Sequence, residues 1–252
     1  MLFSIITICL NNKEGLEKTG NSIMGQTCTD FQWIIIDGAS NDGTLDYLSK
    51  IQDDKIHWLS EPDKGLYDAM NKGLEEATAD YVLFLNAGDV LASTDILEKL
   101  KAEIESANLP DFIYGDCYEQ SNAGELLLKK ARSAKWIWYG MFTHHQAMIY
   151  RLGAVDSLRY KMKYPIGADY AFTAEVLKRT NNTLCVAFPI SIFEQGGLSS
   201  SNTAQGAKDQ WNIRRDILGI GILVRVLIRA VQFTSYLIRG IFPTIYKKMR
   251  FS

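Results

Sequence analysis

The chain has 252 residues, 47% of them apolar and 22% charged, with a formal net charge of −2. That balance excludes a disordered or fibrous chain and leaves room for one large domain, or a domain with an appendage. The charge is unevenly spread: residues 217–252 hold Arg225, Arg229, Arg239, Lys247, Lys248 and Arg250 and no acid, which leaves about −8 for the body. An acidic body does not suit nucleic acid, so no such partner is expected, whereas a basic tail suits an anionic membrane surface.

Cys9, Cys28, Cys117 and Cys185 are scattered without metal-ligand spacing and are expected to be reduced thiols. The first residues carry neither a basic leader nor a cleavage pattern. Residues 3–10 are therefore expected to be a strand, and the protein to stay in the cytoplasm.

Apolar runs predict strands at residues 3–10 and 32–37, and helical spacing predicts helices at 14–24 and 44–51. Strand, helix, strand, helix implies a right-handed parallel sheet. A third strand spans Ile56–Ser60, and a loop at 61–65 opens a helix with Leu66, Ala69, Met70, Gly73, Leu74 and Ala77 on one stripe. Asp68, Asn71 and Lys72 lie off that stripe, free for chemistry, and the helix start after Gly65 offers N–H groups to an anion.

Residues 81–89, Tyr-Val-Leu-Phe-Leu-Asn-Ala-Gly-Asp, form a buried strand that delivers an acid. In open α/β sheets ligands sit beyond the carboxyl ends of such strands, so Asp89 stands at a candidate site, although an isolated Gly-Asp also closes turns. Asp37 ends the second strand and would equally cap its following loop. With Asp68, these acids lie at strand ends or helix starts on one edge. A helix marked by Ile96, Leu97, Leu100 and Ile104 completes a nucleotide-binding half, residues 1–105.

The following half, residues 106–205, contains expected strands at 112–118, 125–130 and 147–150. Lys129, Lys130 and Arg132 form either a solvated basic face or a contact for a diphosphate. Trp136, Trp138, Tyr139, Met141 and Phe142 are crowded together, for stacking on sugars or for core packing. His145 and Gln146 precede a strand, where a histidine is often a satisfied structural group. Asp169 opens a helix through Phe172, Val176 and Leu177, and would cap it.

The combination of Ile6-Thr7-Ile8 ahead of Asn11, residues 36–44, residues 63–73, Phe84-Leu85-Asn86-Ala87-Gly88-Asp89, His145-Gln146 and Ala168-Asp169-Tyr170 resembles the family 2 inverting glycosyltransferases. The likeness covers about residues 3–200 and is strongest toward the bacterial branch that builds colanic acid, O-antigen and capsule. It implies a GT-A fold: a Rossmann-like nucleotide-sugar half and an acceptor half in one continuous mixed sheet, residues 1–205. It implies that Thr7, Asn11, Asp37 and Asp68 bind the nucleotide of a nucleotide-diphosphate sugar donor. Asp89 would hold Mn²⁺ or Mg²⁺, Asp169 would be the general base, and His145, Gln146 and Trp138 would contact diphosphate or acceptor. Gly196, Gly197 and Ser199 match a lid loop, which would otherwise be a linker. Asn86 and Gly88 depart from the fuller acidic metal motif. That thinning keeps open a member that binds nucleotide or scaffolds a membrane complex without catalysis. A nucleotidyltransferase would need a glycine-rich basic loop after the first strand, which residues 11–15 do not supply.

In the tail, residues 206–252, the arginines interrupt the apolar run too often for a membrane span. At 100° per residue, Arg225, Arg229, Gln232, Tyr236 and Arg239 fall within about 80° of one another with apolar residues around the rest. The expectation is an amphipathic helix, with residues 214–250 lying on a membrane or packing on the domain. A lipid-linked glycan acceptor and peripheral attachment to the inner membrane follow from this tail together with the resemblance.

Overall fold

A computed structural model describes residues 1–121, 124–180, 182–194 and 202–241. One sheet of nine strands runs in the order β3-β2-β1-β4-β8-β6-β9-β5, with β7 on β6. Its parallel half consists of β1 (Phe3–Cys9), β2 (Phe31–Asp37), β3 (Ile56–Ser60) and β4 (Tyr81–Phe84). The helices α1 (Lys13–Met24), α2 (Thr44–Leu48) and α3 (Leu66–Glu76) connect them. β1, β2 and β4 are buried along their whole length, as expected of parallel strands covered on both faces.

Beyond β4 the sheet becomes mixed. A short β5 (Val90–Leu91) precedes α4 (Ile96–Ser106), β6 (Phe112–Gln120), β7 (Leu126–Lys129), β8 (Met148–Arg151), α5 (Leu152–Val155) and α6 (Ala168–Arg179). β8 is antiparallel to both β4 and β6. It thereby joins the two halves into one sheet.

No strand is expected from the sequence over β9 (Thr183–Glu194), yet it is the longest strand among the described residues and runs parallel to β6. Pro189 cannot donate to a ladder, and the register shifts where it meets Asp116. Gly115 makes this possible: a Cβ there would lie 2.6 Å from Val186 Cγ2 and 2.9 Å from the Phe188 carbonyl oxygen. The bulge is the local solution.

Two apolar cores cover the faces of the sheet. Leu16 and Ile23 of α1 and Leu97 and Leu100 of α4 lie over one, and Met70 and Leu74 of α3 with Phe172 and Val176 of α6 over the other. The chain ends in α7 (Thr203–Asp216) and α8 (Ile222–Ile241). Ile213 and Ile217 join the second core, so α7 belongs to the body.

No helix among the described residues is long and apolar enough to cross a membrane. Arg225 and Gln232 of the polar stripe of α8 turn toward the body. Arg225 and Ile228 are buried, and Gln232 donates to the Tyr139 carbonyl at 3.2 Å and to Gln210 Oε1 at 3.1 Å. Its apolar arc faces outward, with Leu223 83% and Leu227 65% exposed.

Candidate active site

The carboxyl end of β2 is organised by Asp37. One of its carboxylate oxygens accepts from the Ser40 hydroxyl at 2.5 Å, and the other accepts from the Ser60 hydroxyl at 2.7 Å and the Ser40 amide at 3.1 Å. Asp37 has no exposed surface. It therefore shapes the edge by tying the loop after β2 to the end of β3.

Asn11, in the left-handed region at φ 49, accepts from the Asn41 amide at 2.9 Å and fixes the same loop. The Asp68 carboxylate accepts from the Lys64 amide at 2.9 Å, closing the turn before α3. Asn11 is exposed and Asp68 half-buried at this edge. Thr7 does not join them: it is fully buried and accepts from the Trp33 indole at 2.9 Å inside the core. Asn71 and Lys72 are also committed elsewhere. Asn71 brackets the Tyr160 backbone from both sides, and Lys72 pairs with Glu61 at 2.7 Å.

Asp89 lies just past β4, where Gly88 takes φ 106, a turn that a side chain would strain. Its carboxylate accepts from Gln146 Nε2 at 2.9 Å and from the Glu194 amide at 3.1 Å. Burial pushes the Asp89 carboxyl up to about 7, against the opposing pull of those two donors. Lys18 and Glu194 pair nearby at 2.8 Å. Long-range contacts of this kind leave no signal in sequence.

Of the His145-Gln146 pair, Gln146 therefore touches the candidate metal carboxylate. His145 is buried, 2.7 Å from the Tyr160 hydroxyl and packed on Phe84, and burial pushes it down to about 4. It is a neutral structural histidine. In the same turn as Asp89, the Asn86 side-chain oxygen is buried without a hydrogen-bond partner. An unsatisfied amide oxygen three residues before a carboxylate, in one turn, suits a divalent cation that draws its other ligands from phosphates and water. Among the described residues no group of three or more His, Cys, Asp or Glu is placed to hold a metal without such help.

Asp169 occupies the first turn of α6, half-buried. The Tyr170 amide donates to its Oδ1 at 2.8 Å, and the Tyr67 hydroxyl of α3 lies 3.3 Å from Oδ1 and 2.9 Å from the Ile166 carbonyl oxygen. Burial pushes its carboxyl up to about 6, the two donors pulling the other way. Asp169 lines a cleft of about 610 Å³ with Met141, Gly167, Gln210, Arg229 and Gln232. Asp209 of α7 holds the mouth in shape: it is 1% exposed, and one oxygen accepts from the Ile166 and Gly167 amides at 2.8 and 3.0 Å.

Trp138, 40% exposed, stacks on Trp136 outside that cleft. Gly196, Gly197 and Ser199 lie outside the described residues.

A carboxylate poised near neutrality in a cleft, and another at the carboxyl edge of the sheet, are the parts of a transferase. The model for Glycosyl transferase family 2 matches residues 4–179. The chain belongs to that family.

This glycosyltransferase is 32% identical over 218 residues to a PGL/p-HBAD biosynthesis glycosyltransferase of Mycobacterium tuberculosis, covering 79% of this chain and 80% of that one. It is 34% identical over 107 residues to the putative teichuronic acid biosynthesis glycosyltransferase TuaG of Bacillus subtilis, covering 41% and 42%. Among solved structures, S. aureus TarS 1–349 in complex with UDP-GlcNAc superposes with a TM-score of 0.72 at 18% identity, covering 90% of this chain and 70% of that one. The mannosyltransferase PcManGT from Pyrobaculum calidifontis, in complex with GDP-Man and Mn²⁺, superposes at 0.64 with 14% identity, covering 87% and 64%. The glycosyltransferase thus has the expected GT-A architecture. Tyr67, Asp209, Glu194 and Arg229 are the site neighbours that sequence reasoning missed.

Proposed function

We propose that this glycosyltransferase moves a sugar, with inversion, from a nucleotide-diphosphate donor to a glycan carried on a polyprenyl diphosphate. The work is in bacterial surface polysaccharide synthesis of the O-antigen, capsule or colanic acid kind, at the cytoplasmic face of the inner membrane. Relatives named for glycolipid and teichuronic acid biosynthesis support a cell-surface glycan. The nucleotide sugars bound by the structural neighbours support the donor class.

The observation that carries the reading is Asp169, a carboxylate raised toward neutrality at the mouth of a cleft large enough for sugars. As an acceptor hydroxyl attacks the anomeric carbon in line, its oxygen forms the new glycosidic bond and its proton passes to the Asp169 carboxylate. The bond from the anomeric carbon to the phosphate oxygen breaks, and the nucleoside diphosphate leaves. Asn11 and Asp68 face the nucleotide on an edge held by Asp37. Asp89 and Asn86 would hold Mn²⁺ or Mg²⁺, which supplies neutralisation of the leaving diphosphate. The outward apolar arc of α8 supports seating in a lipid surface, with the basic residues of the tail assisting on anionic lipid.

The test is the melting temperature of the purified protein with UDP, GDP or dTDP, each with and without Mn²⁺. One nucleotide should stabilise in a Mn²⁺-dependent way, and Asp89→Ala should remove the Mn²⁺-dependent part. No stabilisation by any of them would overturn the reading.

A further inference from the structure

The wall of the Asp169 cleft is built partly by the C-terminal helix, which brings an arginine into it. Arg229, Gln232 and Phe233 of α8 line the cleft opposite Asp169 and Tyr170 of α6. Arg229 is exposed there.

Two further arginines stand behind it. Arg214 of α7 is 1% exposed, donating to the Trp138 carbonyl at 3.2 Å, the Tyr139 carbonyl at 2.5 Å and Gln210 Oε1 at 3.1 Å. Gln210 also lines the cleft and accepts from Gln232, so Arg214 is joined to the lining through one amide. Arg225, one turn before Arg229 on the same stripe, is 7% exposed and lies 4.6 Å over the Trp211 ring. Its Nε and Nη1 are buried without a partner.

None of the three has a carboxylate partner among the described residues, where the arginines in ion pairs are Arg151, Arg159 and Arg215. The acids at hand are already engaged: Asp209 accepts from the Ile166 and Gly167 amides and from Gln205, and Asp169, which lines the same cleft as Arg229, accepts from the Tyr170 amide and the Tyr67 hydroxyl. Arg214 and Arg229 are close enough to repel, which adds to the effect of burial in lowering the Arg214 basicity. Like charges gathered beside a cleft are costly unless an anion arrives to pair with them.

We propose that the end of the cleft walled by α8 is an anion subsite for the diphosphate of a lipid-linked acceptor, with Arg229 as its contact residue and Arg214 and Arg225 supporting it. This rests on the glycosyltransferase reading above and adds to it how the acceptor is held. The diphosphate sits at Arg229 and the sugar extends toward Asp169. The apolar arc of the same helix faces the surface from which a lipid would come. Anchoring and acceptor recognition are then two faces of one helix.

The choice of a lipid diphosphate over a free phosphate rests on that arc, and the test separates the two. Binding to the full chain is followed by tryptophan fluorescence in detergent micelles, with farnesyl diphosphate, farnesol and inorganic pyrophosphate as probes. Farnesyl diphosphate should bind more tightly than pyrophosphate, and farnesol should not bind. Arg229→Gln should weaken farnesyl diphosphate about tenfold, and Arg229→Lys less, because the forked pair is lost but the charge kept. Arg229 is exposed, so neither change threatens folding.

Equal binding of farnesyl diphosphate by wild type and Arg229→Gln would overturn the proposal, as would farnesol binding as tightly. Pyrophosphate binding as tightly as farnesyl diphosphate would overturn its lipid part, and so would phosphatidylglycerol vesicles displacing the probe equally well. The nucleotide-dependent melting shift is measured in parallel. A retained shift with Arg229-independent binding sinks this inference alone, whereas a missing shift in wild type sinks the transferase reading.

Discussion

Asp169 and Tyr67 show how a residue from another element tunes a reacting group. The Tyr67 hydroxyl lowers the Asp169 pKa while burial raises it, and burial wins, leaving the carboxyl at about 6. As a base it must be ionised, so kcat/KM should fall as pH drops below about 6. Tyr67→Phe removes one of the two opposing donors and leaves the Tyr170 amide, so the acid limb should move to higher pH. A pH–rate profile unchanged by Tyr67→Phe would contradict this. Asp169→Asn should cost about 10²- to 10⁴-fold in kcat while the nucleotide-dependent melting shift persists. At this scale much of the site is legible in sequence: Asp89 and Asp169 announce themselves by standing after an apolar strand and at a helix start. What sequence could not separate was contact from scaffolding. Asp37, Thr7 and His145 carry the right chemistry, but their hydrogen bonds end on Ser40, Ser60, Trp33 and Tyr160.

Among the elements, α7 carries a duty invisible in its own pattern. Asp209 accepts from two backbone amides just ahead of α6, the helix that delivers Asp169. Asp209→Ala would leave both amides buried and unpaired, at a cost of about 2–4 kcal/mol. Denaturant unfolding should show that loss, together with a fall in kcat from the displaced base. The expected strands 1 to 4 follow from continuous apolar runs, and their helices from a period near 3.6. β9 does not, because Pro189 breaks its pattern and only the bulge at Gly115 admits it to the sheet.

For the whole molecule, the tail takes the second of its two expected placements: α8 packs on the body through Arg225 and Gln232 and leaves Leu223 and Leu227 of its apolar arc outside. Leu223→Glu with Leu227→Glu should abolish co-sedimentation with phosphatidylglycerol vesicles and leave the nucleotide-dependent melting shift intact. Retained sedimentation would refute lipid seating through this arc. The sequence by itself determined the parallel half of the sheet, the amphipathic character of the tail and the placing of Asp89 after a strand and of Asp169 in the first turn of a helix, because these are short-range properties of the chain. The helix cap expected at Asp169 falls instead on Gly167, with no side-chain cap bond. Only the tertiary structure decided that Gln146 meets Asp89, that Tyr67 and Asp209 brace Asp169, and that Arg229 faces the same cleft. The hydrogen bonds from Gln146 to Asp89, from Tyr67 to Asp169 and from Ile166 to Asp209 span 57, 102 and 43 residues, and packing brings such groups together through contacts that no local pattern encodes.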